Sequence, residues 1–173
     1  MDYRHIRLLV GAALVLVFLF LLITARANSS GSGDSVYDVM ESYKLPKGIL
    51  PTNAKDYVLN SSDGSFEVFL EMEGHGACTF GIEAGYQLKY QRRISGKISP
   101  GSLMSLKGVS VKILFIWLDI SEVELQVGDD DDDGQLDFYV GPFSAAFPLS
   151  NFDVSPTCGC GLDCITSPML AAE

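Results

Sequence analysis

Hydrophobic and polar positions change their spacing once along this chain, and the change separates a short helical segment from a long β-rich one. Val36, Val39, Met40 and Tyr43 recur at i, i+3, i+4 and i+7, which places them on one stripe of a helix. Ser35 stands at the N-cap with Asp38 three residues on, a capping box with Asp in place of Glu. Lys44 suits the negative end of the helix dipole, and Pro46 forbids continuation. After the stiff connector Leu45–Pro51 the period becomes two. Tyr57 to Leu59 leads into Asn60–Gly64, and Phe66, Val68, Leu70 and Met72 return on one face. Asp63-Gly64 between alternating runs predicts a hairpin. Further short runs at 77–82, 86–90, 94–99 and 103–106 are punctuated by Gly85, Gly96 and Pro100-Gly101.

The densest alternation lies in GVSVKILFIWLDI, Gly108 to Ile120. Read as one strand, it puts Val109, Val111, Ile113, Phe115 and Trp117 on one face. The other face starts polar at Ser110 and Lys112 and turns apolar at Leu114, Ile116 and Leu118. Such a strand is expected to cross the middle of a sheet with Trp117 in the core, where each large side chain contributes ~1.5–3 kcal/mol. Val123, Leu125 and Val127 then alternate with Glu122, Glu124 and Gln126. Residues 128–134 turn the chain, and Leu136, Phe138 and Val140 alternate on the way back, as in an antiparallel sheet wet on one side. The expected fold class is α+β, mainly β: a twisted antiparallel sheet packed on an N-terminal helix. Past Pro148 the periodicity fades, and residues 166–173 are expected to be disordered.

The first residues have a different character. Arg4, His5 and Arg7 precede an apolar run from Leu8 to Ile23, followed by Ala25-Arg26-Ala27. This is the pattern of a secretory signal peptide cleaved after Ala27. A retained signal anchor is the rival, for which a run of 16 residues is short of the ~20 that span a bilayer. The organisation expected is a signal peptide at 1–27, a Ser/Gly linker at 28–34, one β-rich domain at 35–152 and a Cys-containing tail at 153–173. The secretory pathway or extracellular space is then the expected location, with no stable membrane anchor after cleavage. Loss of Arg4, Arg7, Arg26 and Asp2 leaves 9 basic and 21 acidic residues, a net charge of −12. That balance opposes phosphate backbones and anionic surfaces, so nucleic acid is not an expected partner.

An oxidising compartment changes the meaning of Cys78, Cys158, Cys160 and Cys164, which read there as disulfide candidates. Adjacent C-x-C residues bridge badly, leaving Cys164 with Cys158 or Cys160, while the remaining one can reach Cys78 and pin the tail to the sheet. Asn60-Ser61-Ser62 and Asn28-Ser29-Ser30 are glycosylation sequons, and Asn60, in a turn, is the better acceptor. His75, flanked by Gly74 and Gly76, is the one histidine beyond the signal. A Ser-His-Asp hydrolase would need it as base, yet no G-x-S-x-G elbow accompanies it. Asp129, Asp131, Asp133 and Asp137 fall at positions 1, 3, 5 and 9 of a calcium-loop pattern with Gly134 at 6. Val140 stands where the bidentate glutamate belongs, so the run reads either as a weak calcium site or as a solvated acidic turn.

Three motifs stand in order: LPKGILP at 45–51, GVSVKILFIW at 108–117 and VGPFSAAFP at 140–148. Together they resemble the plant-specific family of domain of unknown function 538. The resemblance implies a fold similar to one half of bactericidal/permeability-increasing protein, a twisted sheet wrapped around a helix with an apolar groove for lipid. With the signal pattern and the apolar strand faces, it leads to the expectation of a secreted, apoplastic module binding a lipid or amphiphile between helix and sheet. The resemblance carries no site motif onto this chain. The apolar density of the residues makes Phe115, Trp117, Met40 and Tyr43 the ligand-binding candidates, with no cofactor expected beyond the possible calcium. An esterase acting on chlorophyll-type esters, using a Ser and His75, is one alternative. A regulatory protein working through surface contacts in the secretory route is the other.

Overall fold

The computed structural model describes residues 33–72, 76–82, 85–127 and 134–162. Helix α1, Val36–Ser42, begins where the capping box predicts. The Ser35 backbone N–H donates to the Asp38 carboxylate at 2.8 Å, and the Asp38 N–H donates to Ser35 Oγ at 3.2 Å. Those bonds satisfy two donors that a helix start leaves open. The carboxylate is held below its ordinary pKa by the Ser35 hydroxyl and backbone. Val36 and Met40 are buried against the sheet. The connector that follows is a strut rather than a surface loop, with Leu45, Ile49 and Leu50 each at most 5% exposed.

Nine strands follow among the described residues: β1 Ala54–Leu59, β2 Ser65–Leu70, β3 Cys78–Gly81, β4 Gln87–Ser99, β5 Ser102–Ile113, β6 Ile116–Asp119, β7 Glu122–Gln126, β8 Gln135–Val140 and β9 Phe143–Pro148. All pairings are antiparallel, in the order β1-β2-β4-β5-β7-β8-β9, with β3 added to β4 and β6 to β5. The sheet is therefore built on one long hairpin, β4–β5, whose two halves have different neighbours. The half nearest its Pro100-Gly101 turn carries β2–β1 on one edge and β7–β8–β9 on the other. The far half carries only β3 and β6. The core lies under the first half, where Ile94, Val123 and Leu136 are essentially sealed from solvent.

Gly85 and Pro100-Gly101 separate strands as expected, but Gly96 lies inside β4, and Gly108 inside β5. A Cβ on Gly96 would sit 2.8 Å from the Met104 carbonyl oxygen, and Gly108, at φ +88°, would place one 2.4 Å from that of Arg93. Both positions let β4 and β5 cross closely where their pairing shifts register, a use of glycine in bulged strands. The runs at 86–90 and 94–99 thus form one strand, as do 103–106 and 108–113.

The stretch 108–120 differs from the single strand its alternation predicts. Gly108–Ile113 is the far half of the central strand β5, but the chain reverses at Leu114 and Phe115 and returns as the edge strand β6. Ile113 pairs with Ile116, and Lys112 with Trp117. A two-residue turn reverses the parity expected beyond it, so Ile116 and Leu118 take the inner side while Trp117 joins Lys112 on the outer one. Trp117 is consequently 37% exposed, not a core residue.

Beyond β9 the chain continues to pack. Ser155 Oγ donates to the Lys47 carbonyl at 3.0 Å, Pro156 accepts from the Thr52 N–H at 2.9 Å, and Gly159 donates to the Thr79 carbonyl at 2.8 Å. A disulfide between Cys78 and Cys158 closes this strap onto β3.

Candidate functional site

The four residues proposed to hold a ligand fall in two unconnected places. Met40 lines a small interior space with Ile49, Leu50, Tyr90, Ile94 and Leu103, and the cavity measures ≈ 20 Å³. That holds about one water and no acyl chain. Tyr43 is half-buried at the end of α1, its carbonyl accepting from the Gly101 N–H at 2.7 Å. Tyr90 closes the floor. Its hydroxyl donates to the Ile49 carbonyl at 2.8 Å, and burial pushes the phenol far above its ordinary pKa. The space between helix and sheet is thus too small, as packed here, for an acyl chain. The connector contributes to this packing, since Ile49 and Leu50 line the cavity and are buried.

Phe115 and Trp117 lie instead at the far end of the β4–β5 hairpin. Leu114, Phe115 and Ile116 are 83, 91 and 60% exposed. Single exposed hydrophobes are ordinary on protein surfaces, whereas three in a row at a turn form a patch. Leu114 also adopts φ +56°, a conformation in which the first turn position favours glycine because a Cβ crowds the backbone. Behind the turn, the Lys89 ammonium lies 4.3 Å from the Trp117 ring centroid and that of Lys112 5.9 Å. This is cation–π range, worth ~0.5–1 kcal/mol where solvent is present. Ser110 Oγ donates to Asp119 at 2.7 Å across β5 and β6, so the returning strand is tied at its base. Beside the turn lies an open recess of ≈ 450 Å³ lined by Gly85, Tyr86, Gln87, Lys112, Ile113 and Leu114. The arrangement offers apolar contact at a protruding tip with cations set directly behind it.

Periodicity counted this patch as core. Its composition carried a signal that the alternation masked: residues 85–118 hold Lys89, Arg92, Arg93, Lys97, Lys107 and Lys112 and no acid, within a chain of net charge −10. The whole hairpin is thus locally basic.

The other candidates divide between described and undescribed residues. Cys78 pairs with Cys158, and Cys160 is disulfide-bonded as well, with no free cysteine among the described residues. Asn60 is exposed, and its side-chain oxygen accepts from the Ser62 N–H at 3.1 Å and hydroxyl at 2.7 Å. Asp137 lies on β8 opposite Glu124, with Gln135 donating to it at 3.2 Å. Glu124 also accepts from the Tyr139 hydroxyl at 3.1 Å, and that bond with the surrounding carboxylates raises the Tyr139 pKa. Asp129, Asp131, Asp133, Cys164, Asn28, His75 and the 1–27 segment lie outside the described residues. Among the described residues no group of three acidic, His or Cys side chains could hold a metal, and no helix is long and apolar enough to cross a membrane.

No curated protein and no solved structure matches the chain. A family model described as protein of unknown function, DUF538, matches residues 36–153, from α1 to just past the last strand, and the chain belongs to that family.

Proposed function

We propose that this chain is a non-enzymatic binding module of the secretory route that takes one amphiphile at a time in the recess beside the β5–β6 turn. The apolar part of the ligand lies against Ile113 and Leu114, and an anionic or polar head meets Lys112. The observation that carries this reading is the placement of Leu114, 83% exposed, on the rim of a recess that Lys112 also lines. The recess volume of ≈ 450 Å³ falls within the ~300–1,000 Å³ of small-molecule sites. The Cys78–Cys158 disulfide supports an oxidising compartment. A kinship with one half of bactericidal/permeability-increasing protein fits a large antiparallel sheet with one short helix among the described residues, and the small interior cavity favours the outside of the sheet for the ligand.

Lysophosphatidylglycerol, kept below its micelle concentration, tests the site. Trp117 is the sole tryptophan of the chain and pairs with Lys112, so its emission reports local occupancy. A saturable change, weakened in Lys112→Gln, is expected, together with lipid retained in native mass spectra after mild purification. A chain that is always empty, with emission indifferent to the lysolipid, refutes the reading.

A further inference from the structure

The β5–β6 turn has a property that a recess for single molecules leaves unused: Phe115, 91% exposed, is the most prominent side chain at its tip. We propose that this turn is a wedge by which the protein docks onto an anionic lipid bilayer, with Leu114, Phe115 and Ile116 entering the acyl boundary and Lys89 and Lys112 at the phosphates. The inference goes beyond the recess reading, with which it shares Leu114 and Lys112, and does not require it.

Three observations converge on a bilayer. The first is shape. The apolar residues occupy a two-residue turn closing the far half of the hairpin, where β6 has β5 as its partner strand. A convex tip can enter a soft apolar phase without a complementary pocket. The second is the layering of side-chain types. Apolar residues lead, and Trp117 follows one pair of residues behind the turn with Lys89 and Lys112 against its ring. Tryptophan with lysine is the combination favoured at the membrane–water boundary, because the ring has an apolar body with a polar edge and lysine stems keep their charge in water. Lysine is depleted from the centres of protein–protein interfaces, which makes a protein groove the poorer match. The third is charge. Residues 85–118 contain six basic residues and no acid. Exposed Arg93, Lys97 and Lys107 continue the positive character along the same hairpin, although Glu67 pairs with Arg93. Asp119, the first acid past this segment, is engaged by Ser110. The net negative charge of the whole chain opposes anionic surfaces only on average, whereas a potential within a Debye length of ~8–10 Å is set by local groups. Leu114 adds a fourth indication: glycine or asparagine would suit both its φ of +56° and its exposure, whereas the exposure of leucine is favourable only where its side chain meets an apolar phase.

The experiment uses the full chain with vesicles of pure phosphatidylcholine or of equimolar phosphatidylcholine and phosphatidylglycerol. Because the apolar run at 8–23 can bind lipid by itself, the readout must be local. The single Trp117 supplies it, through a blue shift and quenching by lipids brominated on the acyl chain. Both are expected, more strongly with phosphatidylglycerol and less so at high salt. Phe115→Ser should lower the hairpin's partitioning by roughly tenfold or more. Leu114→Asn, which suits the turn and so preserves folding, should act in the same direction. Lys89→Gln and Lys112→Gln should each reduce the preference for phosphatidylglycerol by about fivefold. Unchanged emission and quenching with either vesicle overturn the inference, as does binding equal to wild type in both tip variants. Vesicle indifference with retained lysolipid binding overturns the wedge and leaves the recess; vesicle binding without lysolipid binding does the reverse. If vesicles are ignored and a secreted protein is captured in a manner Phe115→Ser abolishes, the tip serves a protein contact and the inference falls.

Discussion

Whether an amphiphile could enter between helix and sheet turns on Tyr90, and Tyr90→Phe tests it. The hydroxyl is fully buried and donates to the Ile49 carbonyl at 2.8 Å. Removing it at neutral pH leaves a buried acceptor without its partner, at a cost of ~1–2 kcal/mol. Alkaline pH adds a second effect of opposite sign. Burial raises the folded-state pKa of Tyr90, whereas the unfolded value is ~10. Below pH ~10 both states hold the proton and the full stability is present. Above it the unfolded chain releases a proton that the folded chain retains, so unfolding binds fewer protons and stability falls by ~1.4 kcal/mol per pH unit. Phenylalanine has no such dependence. The wild-type advantage should therefore shrink from ~1–2 kcal/mol at neutrality to about zero near pH ~11, and reverse above that. Urea denaturation followed by circular dichroism, at steps from neutral pH to about 11, measures the difference; other titrating groups are common to both proteins and cancel. The absence of free thiols among the described residues limits disulfide exchange at high pH. A wild-type advantage that stays constant across the series would mean Tyr90 ionises in the folded state near its ordinary pKa. Water or ligand would then reach the interior, and the closed core would be refuted.

Three further outcomes follow from the same geometry. Trp117→Ala should cost only ~1 kcal/mol, its exposed cation–π contacts included, against ~3–4 kcal/mol for Ile94→Ala at 1% exposure; melting curves that rank them the other way would restore a core role to the tryptophan. Replacing Cys78 and Cys158 together by alanine opens a link spanning 80 residues and should cost ~4 kcal/mol in urea denaturation; a loss below about 1 kcal/mol would show that the strap holds without it. Asn60, exposed with Ser62 hydrogen-bonded to its side chain, should carry a glycan when the chain is expressed through a eukaryotic secretory route, seen as a mass lost on enzymatic deglycosylation and missing from Asn60→Gln.

Local rules succeeded where one residue type has one meaning. Ser35 with Asp38 predicted a helix start that both hydrogen bonds realise. Asp63-Gly64 predicted a hairpin, and Leu59 pairs with Phe66 across it. Alternation from Val123 to Val140 predicted β7 and β8 with their inner faces, Val123 and Leu136 both sealed. The errors occurred where a residue's meaning depends on a distant part of the chain. Gly96 reads as punctuation from its neighbours, but its need for space comes from the Met104 carbonyl on the opposing strand. Leu114 and Phe115 have no turn propensity, so alternation passed straight through the reversal they make. β9 alternates Phe143, Ala145 and Phe147 but is mostly exposed, so its apolar face is not a buried one. The disulfide partner of Cys78 was narrowed by the poor geometry of neighbouring cysteines, and its choice depended on where the strap lies over β3.

The two halves of the β4–β5 hairpin explain how one chain can carry both a closed core and an exposed apolar tip. The pairing shifts between Tyr90 and Ser95 and again before Lys97, and Gly108 crosses Arg93 at the first of these shifts. On the near side β2 and β7 flank the hairpin, and most of the sealed side chains are there. On the far side, four strands alone hold the tip, supported by the Cys78–Cys158 strap and the stacked Phe80 and Tyr90 rings 5.8 Å apart. Tyr90 and Cys78 are paired residues of β4 and β3, so the interior anchor and the disulfide meet at the foot of this flap. Changes at Leu114 or Phe115 touch none of these anchors. Substitutions without shared partners combine nearly additively, and a double variant, Tyr90→Phe with Leu114→Asn, separates the two roles. Its stability should follow Tyr90→Phe and its vesicle binding Leu114→Asn. A coupling above about 0.5 kcal/mol in the stability cycle would show that the tip and the core are one mechanical unit and that lipid contact at the turn is felt at Tyr90.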